Sequence, residues 1–265
     1  MQTPEHALTV IKRHYREGER LDVAGLNQIT VLVDRSQTAL TEVGLNVWRA
    51  GLEGPPHFHD GKEQIFFVLG GRGTVTVSGE RFPVKPNDLV YVPVGAMHQT
   101  VVESSEPLAY LLFNAFTDPS KEGQASFAEH IAEAKHERRR QADQAARGVP
   151  SDWSRAPARG RHVVFDPITT PLSAGAAECL PLLERELTQR SSACLIQQTG
   201  SRRVLEGADV ERTLLAVAGE GAVRVGGERW PVGVGHVLFV PAGHEVITEA
   251  GQAGLAVLCL STFLS

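Results

Sequence analysis

The chain has 265 residues, room for one large domain or two small ones at about 150 residues each. With 42% apolar and 22% charged residues it has a globular make-up, which excludes a mostly disordered chain. A formal net charge of −5 gives no general attraction to phosphate, so nucleic acid is not an expected partner.

The opening stretch MQTPEHALTV lacks the basic and then apolar regions of a signal peptide. Cys179, Cys194 and Cys259 are odd in number and read as small buried hydrophobes in a reducing compartment. The charge-poor tail from Ala250 to Ser265 is too short to span a bilayer. A cytoplasmic protein without a membrane partner is therefore expected.

Residues 51–70, GLEGPPHFHDGKEQIFFVLG, carry the first chemical signal. On an extended strand His57 and His59 point to the same side. Glu63 has the same parity and lies beyond the turn-like DGK, from where it is expected to return as a third ligand. His98 follows a turn built on Pro93 and Gly95 and is the fourth candidate. Imidazole with carboxylate suits one divalent transition metal (Fe, Mn, Co, Ni, Cu or Zn) and not a dedicated calcium site. Four protein ligands around an octahedral ion leave two positions open for substrate or oxygen. Trp48 and Phe67 are expected to wall the pocket, and Thr100 follows His98 with its parity. Tyr91, Tyr110 and Asn114 offer hydrogen bonds whose facing depends on the strand register. No separate general acid or base stands out, so catalytic side chains stay unassigned. Either the metal and its water supply the acid–base chemistry or chelation alone activates the substrate.

Further along, TVTV and LVYVP read as strands and SGE as a hairpin turn. Ser126–Arg147 is rich in Ala, Glu and Arg and predicts a helix, with Phe127, Ile131 and Ala134 on one packing face. Its KHERRR run reads as a solvated surface. The Gly/Pro-rich GVPSDWSRAPARG reads as a linker.

The early pattern then recurs. Residues 211–246 align with 63–98 at a constant offset of 148 without a gap, and thirteen pairs are identical, from Glu63/Glu211 to Gly95/Gly243. At the ligand positions the second copy has Leu205, Gly207, Glu211 and Val246, so no metal is expected there. Glu211 is expected to pair with Arg202 or Arg203.

These motifs resemble those of the cupin superfamily. Residues 51–70 match its first motif, Gly-x5-His-x-His-x3/4-Glu-x6-Gly, throughout. In the second motif Pro93, Gly95 and His98 match, while Asn87 and Val102 replace a Gly and an Asn. The resemblance implies an all-β chain of two tandem cupin (double-stranded β-helix, jelly-roll) barrels joined by a helical linker. It divides the chain at 1–118, 119–162 and 163–265, with His57, His59, Glu63 and His98 as metal ligands in the first barrel. It implies a metal-dependent enzyme acting on a small oxygenated molecule that chelates the metal. A dioxygenase-type oxidoreductase is favoured over an isomerase or lyase of a sugar or keto acid and over a non-catalytic binding bicupin. Cupins commonly dimerise through edge strands, so a homodimer is expected.

Overall fold

The computed structural model describes residues 9–147, 151, 153, 159–165 and 175–265. Most of the predicted linker, residues 148–150, 152 and 154–158, lies outside the described residues, as does most of the N-terminal MQTPEHALTV stretch. Ten strands come first: β1 (Ile11–His14), β2 (Arg20–Val23), β3 (Asn27–Val33), β4 (Thr41–Trp48), β5 (Lys62–Gly70), β6 (Gly73–Val77), β7 (Glu80–Val84), β8 (Asp88–Val92), β9 (His98–Val102) and β10 (Leu108–Phe116). Helix α1 (Phe127–Ala146) follows, within a residue of the helix predicted from composition. Then come β11 (Arg161–Val164), β12 (Ala177–Leu183), β13 (Ser191–Gln198), β14 (Arg202–Leu205), β15 (Val210–Val225), β16 (Glu228–Gly233), β17 (His236–Val240) and β18 (Val246–Phe263).

All strand pairings are antiparallel. The first barrel sets a seven-stranded sheet, β11-β8-β5-β10-β4-β3-β2, against a three-stranded one, β7-β6-β9. In the second, β1-β17-β15-β18-β13-β12 form a continuous path, with β14 on β18 and β16 on β15. Here β15 does the work of β5 and β6 in one strand, bending at register shifts near Ala216 and Gly219. Among the described residues the chain is thus all-β apart from α1 and three short 3₁₀ turns, as two jelly-roll barrels require.

The repeat is structural down to its registers. Gly73 pairs with Val84 and Gly221 with Val232, each 148 residues on. The repeated glycine has a steric reason. A Cβ on Gly73 would lie 2.2 Å from the Val101 carbonyl oxygen, and one on Gly221 would lie 2.1 Å from that of Glu249. Asn87, which replaces the motif's leading Gly, holds φ 73°, and its counterpart Gly235 holds φ 88°. Asn tolerates that left-handed conformation, so the departure leaves the turn intact.

Three apolar clusters organise the molecule. One fills the first barrel around Trp48, Phe66, Val75, Tyr110 and Leu112. Another fills the second around Leu214, Val223, Leu238 and Val257. The third lies between the barrels, where Ile65, Phe67, Leu89, Tyr91 and Phe113 meet Leu215, Val237, Phe239 and Leu258. The large sheets are therefore buried on both faces, which is why LVYVP and VLFVP are continuous apolar runs and do not alternate.

The halves also exchange strands. β1 pairs with β17 of the second barrel and β11 with β8 of the first, Ile11 facing Phe239 as Arg161 faces Tyr91. Limits at 118 and 163 accordingly part each of these strands from the sheet it joins.

Candidate metal centre

The two histidine-bearing segments are locked together by backbone. His57 and His98 exchange N–H···O bonds of 3.0 and 2.7 Å, and Gly95 N donates to His59 O at 2.7 Å. The Pro93–Ala96 turn aims β9 so that His98 opens it inside the barrel. One ligand nitrogen from each of His57, His59 and His98 lies within 4.8 Å of the other two. Their ring centroids are 4.2–5.5 Å apart.

Burial holds all three imidazoles neutral: desolvation pushes His57 and His59 well below the usual histidine range and His98 down to about 4. His57 Nδ1 lies 3.1 Å from the Pro55 carbonyl and His98 Nδ1 lies 3.0 Å from that of Ala96. A carbonyl can only accept, so each Nδ1 carries the proton and each Nε2 keeps its lone pair. His59 Nδ1 faces Glu122 Oε1 at 4.0 Å. The donor set suits a borderline transition metal.

Glu63 does not join them. Its carboxylate is fully buried on the opposite face of β5, accepting from Tyr91 Oη (2.7 Å), Gln189 N (2.9 Å) and Arg190 N (2.8 Å). Phe67 and Tyr91, expected in the pocket, face the cluster between the barrels for the same reason. Parity carried from His59 does not survive the bend at Asp60–Gly61, and a slip of one residue reverses every side chain on a strand. The inward set on β5 is Gln64, Phe66 and Val68.

Gln64 takes the place foreseen for Glu63, at the longer of the two motif spacings, and its orientation is fixed from a distance. Arg35 Nε donates to Glu42 Oε2 at 2.5 Å. Glu42 Oε1 accepts from Asn114 Nδ2 at 2.6 Å. Asn114 must then present Oδ1, which accepts from Gln64 Nε2 at 2.9 Å. Gln64 Oε1 is left buried without a partner among the described residues, in the cavity that holds the three histidines. An orphaned acceptor of this kind costs about 1–3 kcal/mol unless something meets it.

That cavity has a volume of about 600 Å³, suited to a small ligand. Trp48, Thr100 and Tyr110 line it. Tyr110 Oη accepts from Trp48 Nε1 (2.8 Å) and Asn46 Nδ2 (3.0 Å). Sequence reasoning missed Asn27, Asn46, Gln64 and Phe66. It also missed the contribution of α1, whose His130, Ile131, Ala134 and Arg138 close one side. The linker helix is thus a wall of the site. A run of Ala and Arg carries no signal for that, although the packing face of Phe127 and Ile131 pointed to contact with a barrel, and both are buried.

In the second barrel Glu211 does not pair with Arg202 or Arg203, which lie on β14 opposite Glu249 and Thr248. It accepts from Ala39 N (2.6 Å), Leu40 N (2.9 Å) and Thr41 Oγ1 (2.8 Å). This mirrors Glu63: each barrel's glutamate holds a backbone turn of the other.

A family model for the cupin domain matches residues 46–114, the stretch that carries the three histidines. Residues 46–114 thus form a cupin domain. An uncharacterized protein of Methanocaldococcus jannaschii is 36% identical over 55 residues, 21% of this chain and 44% of that one. The chain spans about half the length of the curated relatives it matches. Among solved structures the likeness is one of fold. The E. coli protein Ylba aligns at TM-score 0.67 and 14% identity, covering 96% of this chain and 91% of that one. Bacillus subtilis oxalate decarboxylase aligns at 0.63 and 15%, covering 96% and 77%. Salicylate 1,2-dioxygenase of Pseudoaminobacter salicylatoxidans aligns at 0.58 and 13%, covering 84% and 70%. Among the described residues no helix is long and apolar enough to cross a membrane.

Proposed function

We propose that the first barrel holds one divalent transition metal on His57, His59 and His98, with Gln64 Oε1 as an oxygen ligand, and oxidises a small oxygenated molecule with O₂. The observation that carries the reading is the convergence of three neutral imidazoles, two with Nε2 freed by a carbonyl bond at Nδ1, on one enclosed cavity. The metal would supply Lewis acidity and a binding point for a chelating substrate and oxygen. The chain's own part is to position and exclude. The Pro55 and Ala96 carbonyls fix the imidazoles, and Asn114 fixes Gln64. Trp48, Phe66 and Leu112 keep the reacting end of the substrate away from water. Among the described residues no carboxylate joins the ligand cluster, so the substrate itself is the natural source of negative charge.

The test is metal analysis of protein purified without chelator, followed by O₂ uptake with 1,3-diketones, catechols, flavonols and keto acids. Metal-dependent oxygen consumption is the expected result. Turnover without oxygen would make the protein an isomerase or lyase, and retention without turnover would make it a binding protein. The homodimer reading draws on the open edges β2 and β12, which end their sheets, and light scattering checks it.

A further inference from the structure

Arg138 stands on the inward face of α1, one and two turns beyond Ala134 and Ile131, where an apolar residue would complete the stripe. Its guanidinium carbon lies 5.3 Å from the centre of the Trp48 ring. Nε and Nη1 are buried and have no hydrogen-bond partner among the described residues. Desolvation lowers its pKa only to about 10, so it stays a cation at neutral pH.

The acids around the same cavity are engaged elsewhere. Glu122 accepts from Lys62 Nζ at 2.8 Å, and Glu133 accepts from Gln124 Nε2 at 2.5 Å. Glu137 accepts from Arg140 at 2.7 and 2.9 Å and from Gln141 at 3.0 Å. The cavity therefore contains a buried cation with two free donors and no anion to meet it. Burying an unpaired charge is costly, and the cost is recovered when a ligand brings the counter-charge. A guanidinium offers a planar fork that matches the two oxygens of a carboxylate. Ile29, Phe66, Leu112 and Ala134, also in the lining, suit a hydrocarbon body.

We propose that the ligand of the first barrel is a small carboxylic acid whose carboxylate pairs with Nε and Nη1 of Arg138 while its body lies between Trp48 and Phe66. This names the substrate class for the site described above, and so rests on that reading for its catalytic meaning. Its recognition step does not need the metal. The linker helix thus supplies the specificity of the barrel it covers.

The experiment is calorimetric titration of chelator-treated protein with benzoate, benzamide, pyruvate and inorganic phosphate. At least one of the two carboxylates should bind saturably, with benzoate tighter than benzamide. Arg138→Gln should weaken carboxylate binding at least tenfold, as expected for a charged hydrogen bond of about 1.5–3 kcal/mol, and leave benzamide unchanged. Arg72→Gln, an exposed control away from the cavity, should leave both unchanged. Without ligand, Arg138→Gln should melt no lower than the parent, because it removes an unpaired buried charge. Absence of binding by both carboxylates, equal affinity in Arg138→Gln, or phosphate binding as tightly as benzoate would overturn the assignment. So would a lower melting temperature with unchanged affinity, which would make Arg138 a strut against Trp48. The protein is metal-free throughout, so failure of the metal reading shows in the metal analysis and leaves this result standing.

Discussion

Two neighbouring residues on β5 have opposite fates, and they decide the chemistry of the site. Gln64 lines the cavity of the three imidazoles; Glu63 accepts from the backbone of the other barrel. From the motif alone the carboxylate is the obvious ligand, since carboxylates bind divalent metals more readily than amides. What reverses this is a bend at Asp60–Gly61, where a Cβ on Gly61 would sit 2.6 Å from Glu122 Cγ. The difference is testable. Glu63→Gln should leave bound metal stoichiometric yet destabilise the fold by about 1–3 kcal/mol, because an amide cannot accept from all three donors that now meet the carboxylate. Denaturant unfolding and metal analysis on the same sample read both quantities, and loss of metal without loss of stability would restore Glu63 as a ligand. The three histidines were legible because each sits beside a turn marked by Pro or Gly, whereas the role of Gln64 depends on Arg35, Glu42 and Asn114, residues scattered over 79 positions of sequence.

At the scale of the element, α1 joins the two barrels and also closes the first. Its N-terminus is tied to the barrel by Phe127 N donating to Asp34 Oδ2 at 2.9 Å, and Phe127 and Ile131 are inserted among Ile29, Val31 and Leu112. Those two anchors carry the docking, since the later residues of the inward face are the polar Arg138 and Gln141. Ile131→Ala should cost about 2–4 kcal/mol and loosen the helix before the sheets. Hydrogen exchange should then show α1 losing protection while β5 and β10 keep theirs; uniform loss would mean the helix is part of one cooperative unit with the barrel. The helix itself was readable from composition, because Ala, Glu and Arg favour helix locally. That the packing face of Phe127 and Ile131 runs on into a buried cation was not readable, because a charged stripe and a cavity wall have the same spacing.

For the whole molecule, the duplicated unit has become two barrels that complete each other. Each gives a short strand to the other's sheet, and each glutamate of the pair Glu63/Glu211 caps backbone N–H groups across the boundary. The cluster between them buries Phe67, Phe113, Phe239 and Leu258, so a separated half would expose a broad apolar sheet face. A fragment of residues 1–118 also lacks β11 and leaves β8 as an open edge. Expressed alone it should aggregate, while co-expression with residues 119–265 should rescue solubility and metal binding. A soluble, metal-binding fragment 1–118 would make the strand exchange incidental.

The sequence by itself determined the duplicated all-β architecture, the helix between the copies, the three histidines and the loss of a ligand set in the second copy. All of these are written in local patterns: period, turn residues, and an offset of 148 that holds at every repeated glycine. Tertiary structure alone decided that Gln64 and not Glu63 enters the first site, that Arg138 reaches the same cavity, and that β1 and β11 cross between barrels. Each of these depends on what a strand face, a strand edge or a helix stripe meets from far along the chain, so no local pattern records it.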